Sequence, residues 1–324
     1  MIESLIDGFA WLQQTLFEAV VQPLAFHLGA GNLLEVAYAG TGWFLVGLLQ
    51  IAVMLAVIGP LQRLWPVESV TDRRAVAVDV LYTLIHRLGL FRLAMYFTLE
   101  GWMEQGIGML RAQGLPTLHL DQLWPGVTDG AVASFLLYLL VFDLLAYAVH
   151  RAQHRFEWWW RLHALHHAQR QMTQWTDNRN HLIDDGLRDL IVVCIAILIG
   201  VGPGQFVAVV ALMQLSENLQ HANLRLGFGR VGERLWISPR FHRMHHAIGV
   251  GHESRGQGTL GGCNFGVLLP WWDMLFGTAN FEDRFEATGV RDQVEPGPDG
   301  RVREYGRGFW SQQWLGLKRL AGRA

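Results

Sequence analysis

Lysine is almost missing from this chain: Lys318 stands alone beside twenty-five arginines, a bias attributed to a GC-rich, bacterial genome. Charge of either sign is scarce as well. Charged residues make up 17% of the sequence against 51% hydrophobic residues, a balance that points to a membrane protein. The formal net charge of −2 leaves no general basic field, so nucleic acid is not an expected partner. Cysteine is limited to Cys194 in an apolar run and Cys263 in a glycine-rich loop. Two thiols make neither a disulfide framework nor a thiolate zinc motif, and reduced thiols are the default. No Lys or Arg precedes Arg63, so the N-terminus lacks the basic segment of a signal peptide and nothing is expected to be removed. Also missing are G-x-S-x-G, a P-loop and G-x-G-x-x-G after a strand. His252-Glu253 is not followed by the second histidine of an H-E-x-x-H protease.

Long apolar runs are what the chain has instead. Residues 1–35 include the amphipathic segment LIDGFAWLQQTLFEAV, which can lie on the bilayer or pack on a helical bundle. Residues 36–62 contain no charged side chain, ample at about 1.5 Å per residue to cross roughly 30 Å of hydrocarbon. Arg63, Arg73 and Arg74 follow this run, whereas Glu3, Asp7, Glu18 and Glu35 precede it, so residue 63 is expected inside and the N-terminus outside. Residues 75–110 are interrupted by Asp79, His86, Arg87, Arg92, Glu100 and Glu104 and read as one crossing plus an interfacial helix. Residues 131–149 form a second clear span, holding Asp143 and running directly into His150. Arg151, Arg155, Arg161 and Arg170 put that end in the cytoplasm. The run 190–216 is uncharged but broken by Gly200-Val201-Gly202-Pro203-Gly204. It predicts two short halves returning as a hairpin, with Asp189 and Glu217 on the cytoplasmic side. From Asn280 the chain turns polar and ends in a short amphipathic helix over 309–320. The resulting division is 1–129 for the N-terminal membrane helices, 130–282 for a histidine-bearing domain and 283–324 for a cytosolic tail.

Eleven of the fourteen histidines fall between His150 and His252. His150 and His154 are four apart; His163, His166 and His167 are spaced zero, three and four; His242, His245 and His246 repeat that spacing. On a helix each set projects from one face, so three segments can offer imidazoles to a common centre. Eight nitrogens exceed the needs of one metal, and two metals are implied. Imidazole without thiolate suits iron, copper, nickel or zinc, and a pair of irons that bind dioxygen makes best use of so many neutral ligands. Soluble di-iron bundles rely mostly on carboxylates, whereas histidine dominates here. Asp143, seven residues before His150, is expected to accept a ring N–H from a ligand histidine. Glu217, four before His221, has a similar role. Trp158-Trp159-Trp160 and Trp271-Trp272 are assigned to the aromatic belt of the membrane interface, and the isolated His27, His86 and His119 are not expected to bind metal.

The boxes HRAQH, HALHH and HRMHH resemble those of the fatty acid hydroxylase and sterol desaturase superfamily, integral membrane di-iron oxygenases of lipid metabolism. The resemblance extends over roughly residues 130–280. It includes Arg179-Asn180-His181, His221-Ala222-Asn223, Ser238-Pro239-Arg240-Phe241, Asn264-Phe265-Gly266 and the run from Trp272 to Thr278. It implies that His150, His154, His163, His166, His167, His242, His245 and His246 ligate iron, that His181 and His221 complete the set, and that Asn264 supports them. A seventeen-residue glycine-rich insert, residues 247–263, departs from the pattern and leaves His252 as an extra ligand, a substrate contact or a loop residue.

The fold expected is all-α, a membrane bundle of about four crossings capped on the cytoplasmic side by a helical di-metal domain, in a bacterial inner membrane. The expected activity is hydroxylation of an unactivated C–H bond in a lipid with O2. Electrons are expected from a separate ferredoxin- or cytochrome-type partner. Desaturation at the same site is the neighbouring alternative. A metal transporter is the more remote one, since its ligands would lie near mid-membrane and these lie at helix ends among arginines.

Overall fold

The computed structural model describes residues 2–249, 262–297 and 300–322. Among these residues every regular element is helical, and the β content is a single antiparallel bridge between Ala247 and Thr288. The helices that position the histidines are α1 (Ile2–Leu16), α2 (Gly31–Leu64), α3 (Arg73–Arg87), α4 (Ala131–Arg155), α5 (Glu157–His167), α6 (Leu182–Ile199), α7 (Pro203–Gln220), α8 (Pro239–His245) and α9 (Phe309–Leu320).

Two described helices, α2 and α4, are long and apolar enough to cross a membrane, where about four crossings were expected. The difference has a local cause. Helix α6 opens with Asp184, Asp185, Arg188 and Asp189, so its first two turns are too polar for hydrocarbon. Over residues 75–110 the chain breaks into shorter pieces, with a glycine of positive φ at Gly89 and a short apolar helix at Leu90–Leu99.

The hairpin is present. Helix α6 ends on Gly200 in the left-handed conformation (φ 70°), which a glycine adopts without the penalty a Cβ would incur. Pro203 then opens α7, where its missing N–H costs nothing. The two helices enclose one side of α4, and the apolar core between them contains Tyr138, Phe142, Ala196, Ile199, Val209, Met213 and Leu268. Tyr138 reaches the turn, its hydroxyl 3.3 Å from the carbonyls of Ile199 and Gly200. Helices α2 and α3 pack so closely that a Cβ on Gly47 would sit 1.8 Å from the Arg87 carbonyl oxygen.

The C-terminal segment lies against the histidine-bearing helices. Val290 and Tyr305 pack with Trp160, Ala164 and Ala168. Helix α9 brings Gly316 against the ring of His181, and Gln313 accepts from the Leu182 N–H and donates to the Asn180 carbonyl.

Candidate metal centre

Helix α4 continues beyond its apolar stretch, so its last turns carry His150 and His154 out of the core. Phe156 is extended (φ −96°, ψ 117°), which ends α4 and turns the chain into α5, the bearer of His163, His166 and His167. Helix α7 delivers His221 as its C-terminal cap. Helix α8 starts on a Ser-Pro pair, with the Ser238 hydroxyl accepting from the Phe241 N–H at 3.1 Å, and presents His242 and His245, with His246 as its cap.

These segments bring eight imidazoles into two buried groups of four. His150, His154, His167 and His245 form one; His166, His221, His242 and His246 form the other. Within each group one nitrogen per ring lies within 4.8 Å of the rest. In the second group the Nε2 atoms of His221, His166, His242 and His246 approach one another at 3.0 to 3.2 Å. Burial and the neighbouring imidazoles hold His166, His242 and His246 well below the usual histidine range, so the rings are neutral at pH 7. Neutral imidazoles with lone pairs turned inward are the donor set a cation needs. His150 Nε2 and His163 Nε2 are buried without a hydrogen-bond partner, a costly state that a metal would relieve.

Four of the rings have their outward nitrogen committed. His150 Nδ1 lies 2.9 Å from the Phe265 carbonyl, His245 Nδ1 2.7 Å from the Cys263 carbonyl and His221 Nδ1 2.8 Å from the Glu217 carbonyl. His163 Nδ1 lies 3.0 Å from Asp184 Oδ2. An N–H donated from Nδ1 leaves the Nε2 lone pair facing the centre and fixes the ring's orientation. Burial pushes the Cys263 thiol up to about 12, so at neutral pH it offers no thiolate and contributes through its backbone alone.

Some expected site residues sit elsewhere. His163 belongs to neither group of four; its ring lies 5.1 to 5.3 Å from those of His150, His154, His166 and His167, between the two groups. His181 is apart from both. Its Nδ1 accepts from the Ile183 N–H at 3.2 Å as the cap of α6, and its Nε2 faces the Gln313 carbonyl at 3.0 Å, leaving no nitrogen for a metal. Asp143 meets no histidine. It accepts from the N–H groups of Leu268 and Leu269 at 2.8 and 3.2 Å and from Trp272 Nε1 at 2.8 Å. Glu217 supports His221 through its backbone oxygen, not its carboxylate. Asn264, at φ 59°, ties the Phe241 and Asn280 carbonyls together, while the residues on either side of it aim their carbonyls at His245 and His150. Trp159 donates to Asp184 at 2.6 Å and Trp160 packs on His154 and His167, so these two belong to the site and not to a membrane belt. His27, His86 and His119 fall in neither group, and His252 lies outside the described residues.

The supporting residues that sequence reasoning missed are Asp184, which gathers His163, Gln153 and Trp159, and Asp273, which holds the N–H groups of Phe265 and Gly266 at 2.8 and 2.7 Å. Asp184 did have a signal, as an acid three residues after His181 at the head of an apolar run. The carbonyls of Cys263 and Phe265 had none, because a backbone oxygen is the same in every residue.

Beside the two groups lies a cavity of about 140 Å³ lined by Phe142, Val149, Val192 and Met213 together with His150, His163, His166, His221 and His242. Buried imidazoles in two clusters at the end of an apolar helical bundle define a histidine-box protein with a donor set suited to metal. Residues 135–278 match the family model described as fatty acid hydroxylase, in keeping with the superfamily that the boxes resemble. It is similar to an ornithine lipid hydroxylase, OlsE, of Rhizobium tropici, 26% identical over 259 residues that cover 79% of this chain and 73% of the relative. No solved structure gives a significant match. Both matches carry hydroxylase in their descriptions.

Proposed function

We propose that the protein is a membrane di-iron oxygenase that hydroxylates an unactivated C–H bond of a lipid, with an ornithine-containing lipid as its substrate. The observation that carries this reading is the pair of buried four-histidine groups opening on an apolar cavity. In it, His150, His154, His167 and His245 hold one iron and His166, His221, His242 and His246 the other, with His163 between them. Two irons, supplied with O2 and with electrons from a separate ferredoxin- or cytochrome-type donor, would provide the oxidising power to replace hydrogen by hydroxyl.

The protein's own part is orientation and exclusion. The Phe265, Cys263 and Glu217 carbonyls and the Asp184 carboxylate hold four rings in one tautomer, so the donor geometry exists before any metal arrives. The apolar wall of the cavity keeps water from the reacting carbon and confines the lipid chain, which limits the attack to one position. Helices α2 and α4 anchor the chain in a bacterial inner membrane, with the apolar parts of α6 and α7 dipping into it as a hairpin and the histidines facing the cytoplasm.

Lipid mass spectrometry of cells with and without the protein tests the reading. Gain of one oxygen on an ornithine lipid is the expected outcome. Loss of two hydrogens would make the enzyme a desaturase, and an unchanged lipid profile with altered metal uptake would replace the oxygenase by a transporter.

A further inference from the structure

We propose that the face of α7 turned to the cavity reads a cationic polar group on the lipid, with the Glu217 carboxylate and Gln220 Oε1 as its acceptors; this rests on the lipid hydroxylase reading above. Val210, Met213, Gln214, Glu217 and Gln220 recur at intervals of three and four, so one stripe of α7 lines the cavity, apolar in its first half and polar in its second.

Two acceptors on that polar half are unmet. Gln220 is 1% exposed, and its Nε2 donates to the Ser216 hydroxyl at 2.9 Å and to the Val267 carbonyl at 2.7 Å. A carbonyl can only accept, so the amide orientation is fixed and Oε1 is the atom left buried without a partner. One turn away, the Glu217 carboxylate makes no hydrogen bond or ion pair among the described residues. Its charged neighbours are engaged elsewhere. Arg87 pairs with Asp177 at 3.1 Å, and Arg188, which lines the cavity, is turned to Asp185 and Asp189 at 3.4 and 3.5 Å.

A half-buried carboxylate and a buried amide oxygen on the same wall, neither met by the donors that line the cavity, are a costly pair to leave unpartnered. A group bringing both N–H donors and positive charge satisfies them, and an ammonium on a lipid headgroup has that chemistry. An ornithine headgroup carries one. His221 follows Gln220 directly and lines the same cavity, so the ammonium docks beside the histidine groups. The oxidised carbon then lies within a few bonds of the amine, and the acyl chains extend along Phe142, Val192 and Val210.

The experiment compares an ornithine lipid with the same lipid N-acetylated at its free amine, using purified full-length protein in phosphatidylcholine nanodiscs. Binding is read by native mass spectrometry, and product by fragmentation mass spectrometry of lipids from cells that express the protein and supply O2 and the electron donor. Wild type is expected to bind the free amine about tenfold or more tightly than the acetylated lipid, with the new oxygen on the headgroup fragment. In Glu217→Gln the preference falls to about twofold or less; Gln220→Met weakens it in the same direction and stands in should the first variant not fold. A preference that survives both substitutions, or its absence in wild type, overturns the proposal, as does oxygen on an acyl fragment. Amine-selective binding with no oxygen inserted into any lipid would instead refute the hydroxylase reading and leave this site standing. Oxygen inserted without amine preference would do the reverse.

Discussion

Each imidazole has two nitrogens, and the chemistry of this protein turns on which one is committed. Where Nδ1 donates to a carbonyl or a carboxylate, as in His150, His163, His221 and His245, Nε2 faces the centre. His181 is the counter-case, with both nitrogens engaged by backbone groups. Elemental analysis of purified protein is therefore expected to find close to two irons per chain, and about one in His167→Ala and in His246→Ala. His181→Asn should retain both, because asparagine can also accept from the Ile183 N–H as a helix cap; loss of iron there equal to that in His246→Ala would refute its capping role. The Asp184 carboxylate orients His163 while gathering Gln153 and Trp159. Asp184→Ala is expected to weaken metal affinity by about 10- to 100-fold, the usual cost of removing a group that orients a ligand. A chelator competition titration measures it, and an unchanged midpoint would show that His163 needs no such support.

Helices act here mainly through their ends. The clustered histidines stand on the last turns of α4 and α5, the cap of α7 and the short α8, so the junctions decide the geometry. The loop at 263–272 is the fifth contributor. Asp143 and Asp273 hold its N–H groups, and its carbonyls in turn hold His245, His150 and Gln220. An acid in a membrane run thus serves the site at one remove, by pinning the backbone that pins the rings. Close helix contacts impose their own requirements. A Cβ at Gly316 would meet the His181 ring at 2.3 Å, so Gly316→Ala is expected to lower stability by about 1–3 kcal/mol through overpacking. Thermal unfolding in detergent checks this, and a melting temperature equal to that of wild type would show that α9 docks more loosely. Gly47→Ala should behave in the same way, because there the obstacle is the Arg87 backbone, which no rotamer change can move aside.

At the scale of the whole molecule an apolar bundle and a polar cluster of histidines share one chain. Helices α2 and α4 supply the apolar length, and the hairpin of α6 and α7 closes on α4 to form the core beneath the cavity. Reporter fusions after Arg63 and after Arg170 are both expected to register cytoplasm, since arginines cluster after each span. A periplasmic signal at Arg170 would invert the orientation of the histidine groups.

Composition announced the membrane, and spacing announced the histidines, because three- and four-residue intervals force side chains onto one helix face whatever surrounds them. The glycine and proline break at 200–204 was legible for the same local reason: it depends on backbone freedom and a missing N–H. Other features required the folded chain. Division of the imidazoles into two groups, with His163 between them and His181 outside, depends on how α4, α5, α7 and α8 converge. The support from Cys263 and Phe265 comes from backbone oxygens that no side-chain pattern encodes. That α6, expected as half of a hairpin, also walls the cavity through Arg188, Asp189 and Val192 depended on how it packs. Local rules set which residues could bind a metal; contacts between residues distant in sequence decided which of them meet.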